Sequence, residues 1–255
     1  MTAREIIDEI NRGAFTPPIT CDTVKWGDPE REVSRLGICM MPTVEVLREA
    51  MRRRVDMLIV HEPIYYNHMD ELCNDPVTEK KASLVRELDA VIYRYHDNMH
   101  YRPSDLIGKG ELQFMGLSGE TQVEPGKPAV LHLSKPMTAP ELGELAKERL
   151  GLKNLKIAGS LNGPIRAVGL CFGTPAGVLD LMKREDVECV MVGEACEWQL
   201  CEYARDADSL GITKSVIVMG HIGSERDGMK LLAEDLAKKH PDIEISYIEC
   251  GEVYN

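Results

Sequence analysis

Residues 36–62, LGICMMPTVEVLREAMRRRVDMLIVHE, decide the fold because they predict a strand, a helix and a second strand. Residues 38–41 are apolar, and Pro42-Thr43 marks the helix start with Thr43 as a candidate N-cap. The helix is expected to run from Val44 to Arg54 with its apolar residues on one face. Residues 57–60 form a continuous apolar run, which is typical of a strand covered on both faces.

The same pattern recurs farther along the chain. Shifted by 132 positions, residues 36–62 align with residues 168–194 without a gap, with 8 identities in 27 positions. The identical pairs begin at Gly37, Cys39, Val46, Leu47, Arg52, Val55, Val60 and Glu62. At a shift of 125, residues 91–100 parallel residues 216–225, and each copy places His-x-x-x-(His or Glu) after an apolar strand.

These repeats predict an internally duplicated α/β protein of two similar lobes with mostly parallel sheets and a metal site in the cleft between them. The lobes are expected to span residues 1–123 and 124–255, related by a pseudo-twofold axis, with the C-terminal segment a candidate to pack on the first lobe. Residues 110–133, including Glu124-Pro-Gly-Lys-Pro, are interpreted as a Gly-rich connection. A helix capped by Thr138 and ended by Gly151 follows, and residues 243–249 alternate like a final strand.

The candidate metal ligands follow the predicted strands. His61 and Glu62 end one strand, and His96 and His100 follow the next. His221 and Glu225 are four residues apart at the start of a helix, a spacing that puts both side chains on one face. Parallel sheets bind ligands at the carboxyl ends of their strands, so these groups are expected to converge. Each group has an alternative interpretation, as a solvated loop or, for Glu225, as a first-turn acid that favours the helix dipole.

The overall charge and cysteine pattern restrict the function. The formal net charge of −12 argues against a duplex nucleic-acid binder and against anionic membranes. A phosphorylated small molecule remains compatible because bound divalent ions invert the local charge. The eight cysteines have no C-x-x-C spacing, so they are interpreted mainly as buried apolar residues. No apolar run approaches the length of about 20 residues that spans a bilayer, and the first residues predict an amphipathic helix capped by Thr2 and Glu5, so a cytoplasmic location is expected.

Three motifs resemble those of the Nif-three-like dinuclear-metal family, also called GTP cyclohydrolase 1 type 2 homologues. Residues 56–66, DMLIVHEPIYY, look like the family's D-L-I-V-H-H-P segment, and residues 96–100, HDNMH, occupy the place of its H-T-N-L-D. Residues 220–228, GHIGSERDG, are similar to G-H-x-x-(T/S)-E-x-x-G and are the most specific of the three. The resemblance implies a di-metal centre, a two-lobed α/β subunit and a toroidal homohexamer built as a trimer of dimers.

The resemblance implies His61, Glu62, His100, His221 and Glu225 as metal ligands. The duplication adds His96, the internal equivalent of His221, as a further ligand or as a second-shell hydrogen-bond donor. Glu62 stands where the family has a second histidine, and His100 stands where it has an acid, so one histidine and one carboxylate are exchanged. The ligand set suits two divalent ions, zinc or iron first, with manganese or nickel as alternatives.

The resulting functional hypothesis is a hydrolase that attacks a nucleotide or other phosphorylated small molecule with metal-bound hydroxide. His96 or Tyr65 is the candidate proton shuttle. The alternative is a non-enzymatic metal-binding or scaffold ring that acts through protein partners, and a third interpretation treats the exchanged ligands as a lost site. Because the family forms rings, a homo-oligomer is expected.

Overall fold

The computed structural model describes residues 1–101, 105–123, 128–174 and 176–254, and the chain divides into two compact units. Unit 1 comprises Met1–Lys109 and Gly228–Gly251, and unit 2 comprises Gly110–Asp227 and Glu252–Asn255. The predicted lobe boundary after residue 123 adjoins residues 124–127, which lie outside the described residues.

Unit 1 contains a five-stranded sheet in the order β1-β4-β3-β2-β11. Its strands are β1 (Val24–Trp26), β2 (Arg35–Cys39), β3 (Met57–Val60), β4 (Val91–Arg94) and β11 (Glu244–Tyr247). All neighbours pair in parallel except β1, which is antiparallel to β4. The helices of this unit are α1 (Ala3–Asn11), α2 (Val44–Arg53), α3 (Pro76–Glu87) and the single turn α4 (Asp97–His100).

Unit 2 contains a six-stranded sheet in the order β5-β6-β8-β9-β10-β7. Its strands are β5 (Gly119–Gln122), β6 (Ala129–Met137), β7 (Lys156–Gly159), β8 (Ile165–Cys171), β9 (Cys189–Val192) and β10 (Ser215–Val218). Its helices are α6 (Ala139–Leu150), α7 (Val178–Lys183), a π-helix (Glu197–Cys201) and α8 (Glu202–Ser209). Helices α5 (Leu106–Met115) and α9 (His221–Lys239) include residues of both units.

The two sheets share one topology. The order β1-β4-β3-β2 in unit 1 corresponds to β7-β10-β9-β8 in unit 2, and in each the first strand is antiparallel to its neighbour while the other three are parallel. The predicted duplicated α/β fold is therefore confirmed. The aligned repeat covers the β-α-β segment that both sheets contain.

The central strands are apolar throughout because both of their faces are covered. In β9, Cys189 and Met191 join a core with α6, whereas Val190 and Val192 join a second core with α7 and α8. Successive strand residues point to opposite faces, so two cores require an apolar residue at every position. The corresponding strand β3 of unit 1 is likewise buried along its whole length.

Several helix ends match the sequence prediction. Thr43 accepts a hydrogen bond from the Val46 amide at 3.2 Å, and Thr138 forms the full capping box with Glu141. Gly151 ends α6 in the left-handed conformation, where glycine has no steric penalty. The helix predicted over 44–54 ends at Arg53, and the strand predicted over 243–249 is shorter at both ends.

The connection predicted over residues 110–133 contains more regular structure than expected. It includes most of α5, all of β5 and the start of β6, and β5 pairs with β6 from Gly119 opposite Leu133 to Gln122 opposite Val130. Strand β5 is exposed and polar, so its sequence carries little strand signal, and pairing with β6 decides its conformation. None of the described helices combines the length and apolar content needed to cross a membrane.

Candidate metal centre

His61 follows strand β3 and is fully buried. Its Nδ1 lies 3.0 Å from the carbonyl oxygen of Tyr95. A carbonyl oxygen only accepts hydrogen bonds, so Nδ1 carries the proton and Nε2 carries the lone pair. Burial, with His96 and His100 nearby, holds the pKa of His61 well below its usual value, and the imidazole is therefore neutral, as a metal ligand must be.

His96 and His100 lie against His61 at the two ends of α4. The ring centroids are 4.5 Å apart for His61 and His96, 5.2 Å for His61 and His100, and 5.0 Å for His96 and His100. One ring nitrogen of each histidine lies within 4.8 Å of the others. These three side chains and Glu62 are called the unit 1 cluster.

The ring orientations of the other two histidines are also held by oxygen acceptors. The Nδ1 of His96 lies 3.1 Å from Asp97 Oδ1, and that of His100 lies 3.0 Å from Asp105 Oδ2. The hydrogen bond from His96 holds the pKa of Asp97 well below its usual value, so this acceptor is ionised. All three histidines thus have Nε2 as the candidate ligand nitrogen, an arrangement in which metal-binding histidines are commonly held.

Glu62 lies beside this cluster and is balanced by a buried cation. Its Oε1 is 3.7 Å from His96 Nε2, and its Oε2 is 3.6 Å from the guanidinium of Arg94. Arg94 is fully buried and also donates through Nε to the carbonyl oxygen of His61 at 3.0 Å. The same guanidinium lies 3.4 Å from Asp70, whose Oδ1 accepts from the Ile64 amide at 2.6 Å. Arg94 therefore positions both the first ligand pair and the loop that follows it.

Asp22 fixes the turn that carries His96 and His100. Its carboxylate accepts from the amides of His96, Asp97 and Asn98, each at 2.8 Å. These are amides at the start of α4, where a helix leaves its N–H groups without internal partners. A side chain 74 residues away in sequence thus supplies the cap that no residue of the turn provides.

His221 and Glu225 form the corresponding group of unit 2 and are called the unit 2 pair. His221 Nδ1 lies 2.7 Å from Glu194 Oε1, and His221 Nε2 lies 3.1 Å from Glu225 Oε2. A carboxylate oxygen accepts the hydrogen bond from Nδ1, and Nε2, the candidate ligand nitrogen, faces the Glu225 carboxylate. Glu225 is almost completely buried. Two potential ligand atoms are therefore held side by side, one turn apart on α9.

Small residues make room for the unit 2 pair. The buried Ser224 hydroxyl accepts from the Gly173 amide at 3.0 Å and donates to the His221 carbonyl oxygen at 2.9 Å. Gly173 has a φ of +66°, and a β-carbon there would overlap the Glu225 carboxylate.

Each group fits a divalent metal by its donor atoms. The unit 1 cluster combines three imidazole nitrogens with a carboxylate, and the unit 2 pair combines one of each. Imidazole and carboxylate are the ligands that first-row divalent ions share in proteins. Every one of these histidines has its second nitrogen engaged by an oxygen acceptor, which is the support that metal-ligating histidines receive.

Residues 23–252 match the family described as Duf34/NIF3 (NGG1p interacting factor 3). The chain belongs to this family. The match covers most of the chain and contains every candidate ligand of both groups.

Relatives and solved structures agree with this assignment. The chain is 23% identical over 233 residues to a GTP cyclohydrolase 1 type 2 homolog of Clostridium perfringens, which covers 89% of this chain and 86% of the relative. A Bacillus cereus protein related to NIF3 superposes with a TM-score of 0.78 at 15% identity, covering 100% of this chain and 99% of the other. Reduced HcgD from Methanocaldococcus jannaschii gives a TM-score of 0.71 at 23% identity, with 98% and 97% covered. These two structures share the fold.

Within this Duf34/NIF3 chain, the structure brings His61, Glu62, His96 and His100 together in unit 1 and pairs His221 with Glu225 in unit 2. Their service as ligands stays a prediction. Tyr65, the other candidate proton shuttle, packs against the hydrophobic core of unit 1, where burial raises the pKa of its hydroxyl.

The sequence did not identify several supporting residues, among them Asp22, Arg94, Glu194 and Ser224. Glu194 had a usable signal because it is the repeat partner of Glu62. No sequence signal pointed to Asp22, because its hydrogen-bond partners lie more than 70 residues away.

Proposed function

We propose that this Duf34/NIF3 chain is a dinuclear-metal-dependent hydrolase acting on a nucleotide or another phosphorylated small molecule. His61, Glu62, His100, His221 and Glu225 are the proposed ligands of two divalent ions, with zinc or iron as the first candidates. The observation that carries the proposal is the shared orientation of four histidines, each with Nδ1 on an oxygen acceptor and Nε2 presented as the ligand nitrogen.

Bound divalent ions supply two functions to a hydrolase, since they lower the pKa of water and polarise phosphoryl oxygens. The protein's own residues would hold the ions and move protons. His96 is the proposed proton carrier because its Nε2 faces Glu62 while its Nδ1 is bound to Asp97. The ionised Asp97 stabilises a protonated His96 ring, as a carboxylate does for a general base. Tyr65 remains the second candidate for that role.

A phosphorylated substrate is consistent with the charges of the site. The chain carries a formal charge of −12, and Glu62 and Glu225 add negative charge among the proposed ligands. Two divalent ions would reverse the local sign and attract a phosphate group. Relatives named GTP cyclohydrolase 1 type 2 homolog suggest a nucleotide as the first substrate to test.

The metal content of the purified protein tests this proposal. Wild type, Glu225→Ala and Glu234→Ala are purified without added metal and measured by plasma mass spectrometry. Glu234 is the matched control because it is an exposed glutamate on the same helix. We expect about two ions per chain in wild type and Glu234→Ala and a sharp reduction in Glu225→Ala. A wild type that neither contains nor takes up zinc, iron or manganese would overturn the proposal.

The metal-loaded protein is then assayed on nucleotides and phosphoesters. Turnover that disappears in Glu225→Ala and persists in Glu234→Ala supports the hydrolase. Bound metal without turnover on any substrate class favours the alternative, a metal-binding ring that acts through protein partners. We also propose a homohexamer in solution, as the family resemblance implies, and light scattering of a clean monomer would contradict that assembly.

A further inference from the structure

A second group of potential metal ligands lies in unit 1 and shares no residue with the proposed dinuclear centre. It consists of Cys21, His68 and Asp97 and is called the cysteine cluster. One ligand atom from each residue, sulfur, nitrogen and oxygen respectively, lies within 4.8 Å of the others. The three residues come from three separate segments, the loop before β1, the loop after β3 and the start of α4.

The protein holds Asp97 and Cys21 in fixed positions. Asp97 Oδ2 accepts from the Thr20 hydroxyl at 2.8 Å and from the Cys21 amide at 3.2 Å, while Oδ1 faces His96 Nδ1. Cys21 is fully buried, so its sulfur has little room to turn away from the carboxylate. Two of the three donor atoms are therefore arranged before any ion binds.

His68 completes the cluster from a loop that Arg94 anchors. The guanidinium of Arg94 donates to the carbonyl oxygen of His68, so the backbone is held while the imidazole is exposed. The ring of His68 stands edge-on to that of His96, with centroids 5.7 Å apart. His96 thus lies between the two groups, stacked on His61 on one side and hydrogen-bonded to Asp97 on the other.

The surroundings of Cys21 differ from those of the other buried cysteines. Cys39 and Cys189 belong to apolar cores, where a thiol acts as a small hydrophobic side chain. Cys21 instead has its sulfur 3.7 Å from Asp22 Oδ1 and beside Asp97. A buried thiol between two carboxylates gains little from apolar packing, and a cation would offset the negative charge around it.

We propose that Cys21, His68 and Asp97 bind one additional divalent ion of the zinc class, with a fourth position left for water. Zinc accepts mixed sulfur, nitrogen and oxygen ligands in tetrahedral geometry, and three protein ligands plus water is its usual open arrangement. Bond lengths of about 2.0–2.3 Å place tetrahedral ligand atoms about 3.4–3.6 Å apart. The cluster therefore has to close by at most about 1.4 Å, which rotation of the exposed His68 side chain can supply.

Binding requires one proton to leave and no change in redox state. Burial raises the pKa of the Cys21 thiol to about 12, so the sulfur keeps its proton without an ion. As the ion binds, the S–H bond breaks, a sulfur–metal bond forms and the proton passes to solvent. His68 contributes a neutral nitrogen and Asp97 an existing carboxylate.

Cobalt titration of the metal-free full-length protein tests the site, because Co²⁺ bound to a thiolate gives a sulfur-to-metal charge-transfer absorption that imidazole and carboxylate ligands do not give. We expect this absorption in wild type and its loss in Cys21→Ser. Cys73→Ser is the matched control, since Cys73 lies on the same loop as His68 and is exposed. His68→Gln changes an exposed side chain, so it should fold normally and weaken Co²⁺ binding by about 10-fold or more.

Zinc content gives a second readout. After saturation with added zinc, Cys21→Ser should hold about one ion per chain less than Cys73→Ser. Glu225→Ala should keep the charge-transfer absorption even as it loses the ions of the dinuclear centre, which separates failure of this site from failure of the proposed function. An absence of thiolate absorption in wild type, or equal absorption in wild type and Cys21→Ser, would overturn the proposal.

Discussion

The segment after β4 in unit 1 and the segment after β10 in unit 2 each carry two candidate ligands four residues apart. Different contacts stabilise the two segments. In unit 1, His96 and His100 flank a single helical turn whose amides are held by the distant Asp22. In unit 2, His221 begins a 19-residue helix and Glu225 lies one turn farther along it. A long helix stabilises its own first turn, whereas one isolated turn is costly to form because nucleation fixes several residues for few hydrogen bonds. The conformation of the segment that carries the two candidate ligands therefore depends on tertiary contacts mainly in unit 1.

The acids that follow β3 and β9 show a second difference. Glu62 and Glu194 are equivalent in the repeat, yet Glu62 approaches Nε2 of His96 while Glu194 binds Nδ1 of His221. Nε2 is the candidate ligand nitrogen, and Nδ1 is the nitrogen whose hydrogen bond fixes the ring. The duplication thus contains one acid placed as a candidate ligand and one placed to orient a candidate ligand.

Replacing Asp22 should have the largest effect, because it removes the support on which only unit 1 depends. In Asp22→Ala the three amides of the α4 turn lose their acceptor, and we expect a loss of about 3 kcal/mol in unfolding free energy. Asp22→Asn keeps an acceptor oxygen and should lose much less. Urea denaturation followed by circular dichroism measures both variants. Equal stability of the two would show that the turn does not rely on this carboxylate.

Replacing Glu194 should weaken metal binding without unfolding the protein. Loss of an orienting acceptor typically reduces metal affinity by about 10–100-fold, so Glu194→Ala should release metal to a chromophoric chelator more readily. Glu194 is 56% exposed, and the change in unfolding free energy should stay within about 0.5 kcal/mol. Glu197→Ala, three residues farther on and more exposed, is the control. Identical chelator curves for the two variants would contradict the orienting role.

Replacing two glycines of unit 2 one at a time distinguishes the effect of backbone strain from the effect of crowding at Glu225. Gly173 and Gly177 have similar positive φ values of +66° and +69°, but a β-carbon overlaps Glu225 at Gly173 and contacts nothing within 4 Å at Gly177. Each alanine variant should therefore lose about 1–2 kcal/mol from the left-handed conformation. Only Gly173→Ala should also lose metal. Retained metal in that variant would mean that Glu225 moves aside without consequence.

Removing helix caps that belong to neither group should have the smallest effect and leave metal content unchanged. Thr43→Ala in unit 1 and Thr138→Ala in unit 2 should each lower the unfolding free energy by about 1 kcal/mol, since each removes one capping acceptor. Thermal denaturation and plasma mass spectrometry on the same samples provide the measurement. Metal loss in either variant would indicate that general destabilisation, rather than local support, controls binding at the two groups.

Local sequence was sufficient for the elements whose signals are local. Residues 57–60 are apolar at every position, and the structure makes them strand β3. The Thr138 cap and Gly151 end define α6 because both act through hydrogen bonds within a few residues. The internal repeat showed that these local patterns occur twice, which predicts the duplicated topology. The candidate ligands could be identified because they come directly after the same strands.

Elements whose partners are distant in sequence could not be predicted in the same way. Strand β5 is polar and exposed, and it is a strand because it pairs with β6. Arg94 is an arginine within an apolar strand, and its fully buried position is explained by Glu62, Asp70 and the carbonyl oxygens of His61 and His68. The sequence of β5 and the sequence around Arg94 do not identify these partners, because only folding brings the partners near.

The sequence by itself determined the duplicated α/β architecture, the family and the residue types that can hold a metal, because strand periodicity, helix caps and short motifs act over a few residues. The tertiary structure alone decided which ring nitrogen of each histidine faces an oxygen acceptor and which carboxylate lies beside the other nitrogen. Those properties depend on contacts such as the Tyr95 carbonyl oxygen with His61 and Glu194 with His221. Such contacts join distant parts of the chain, and their geometry exists only after the strands have assembled.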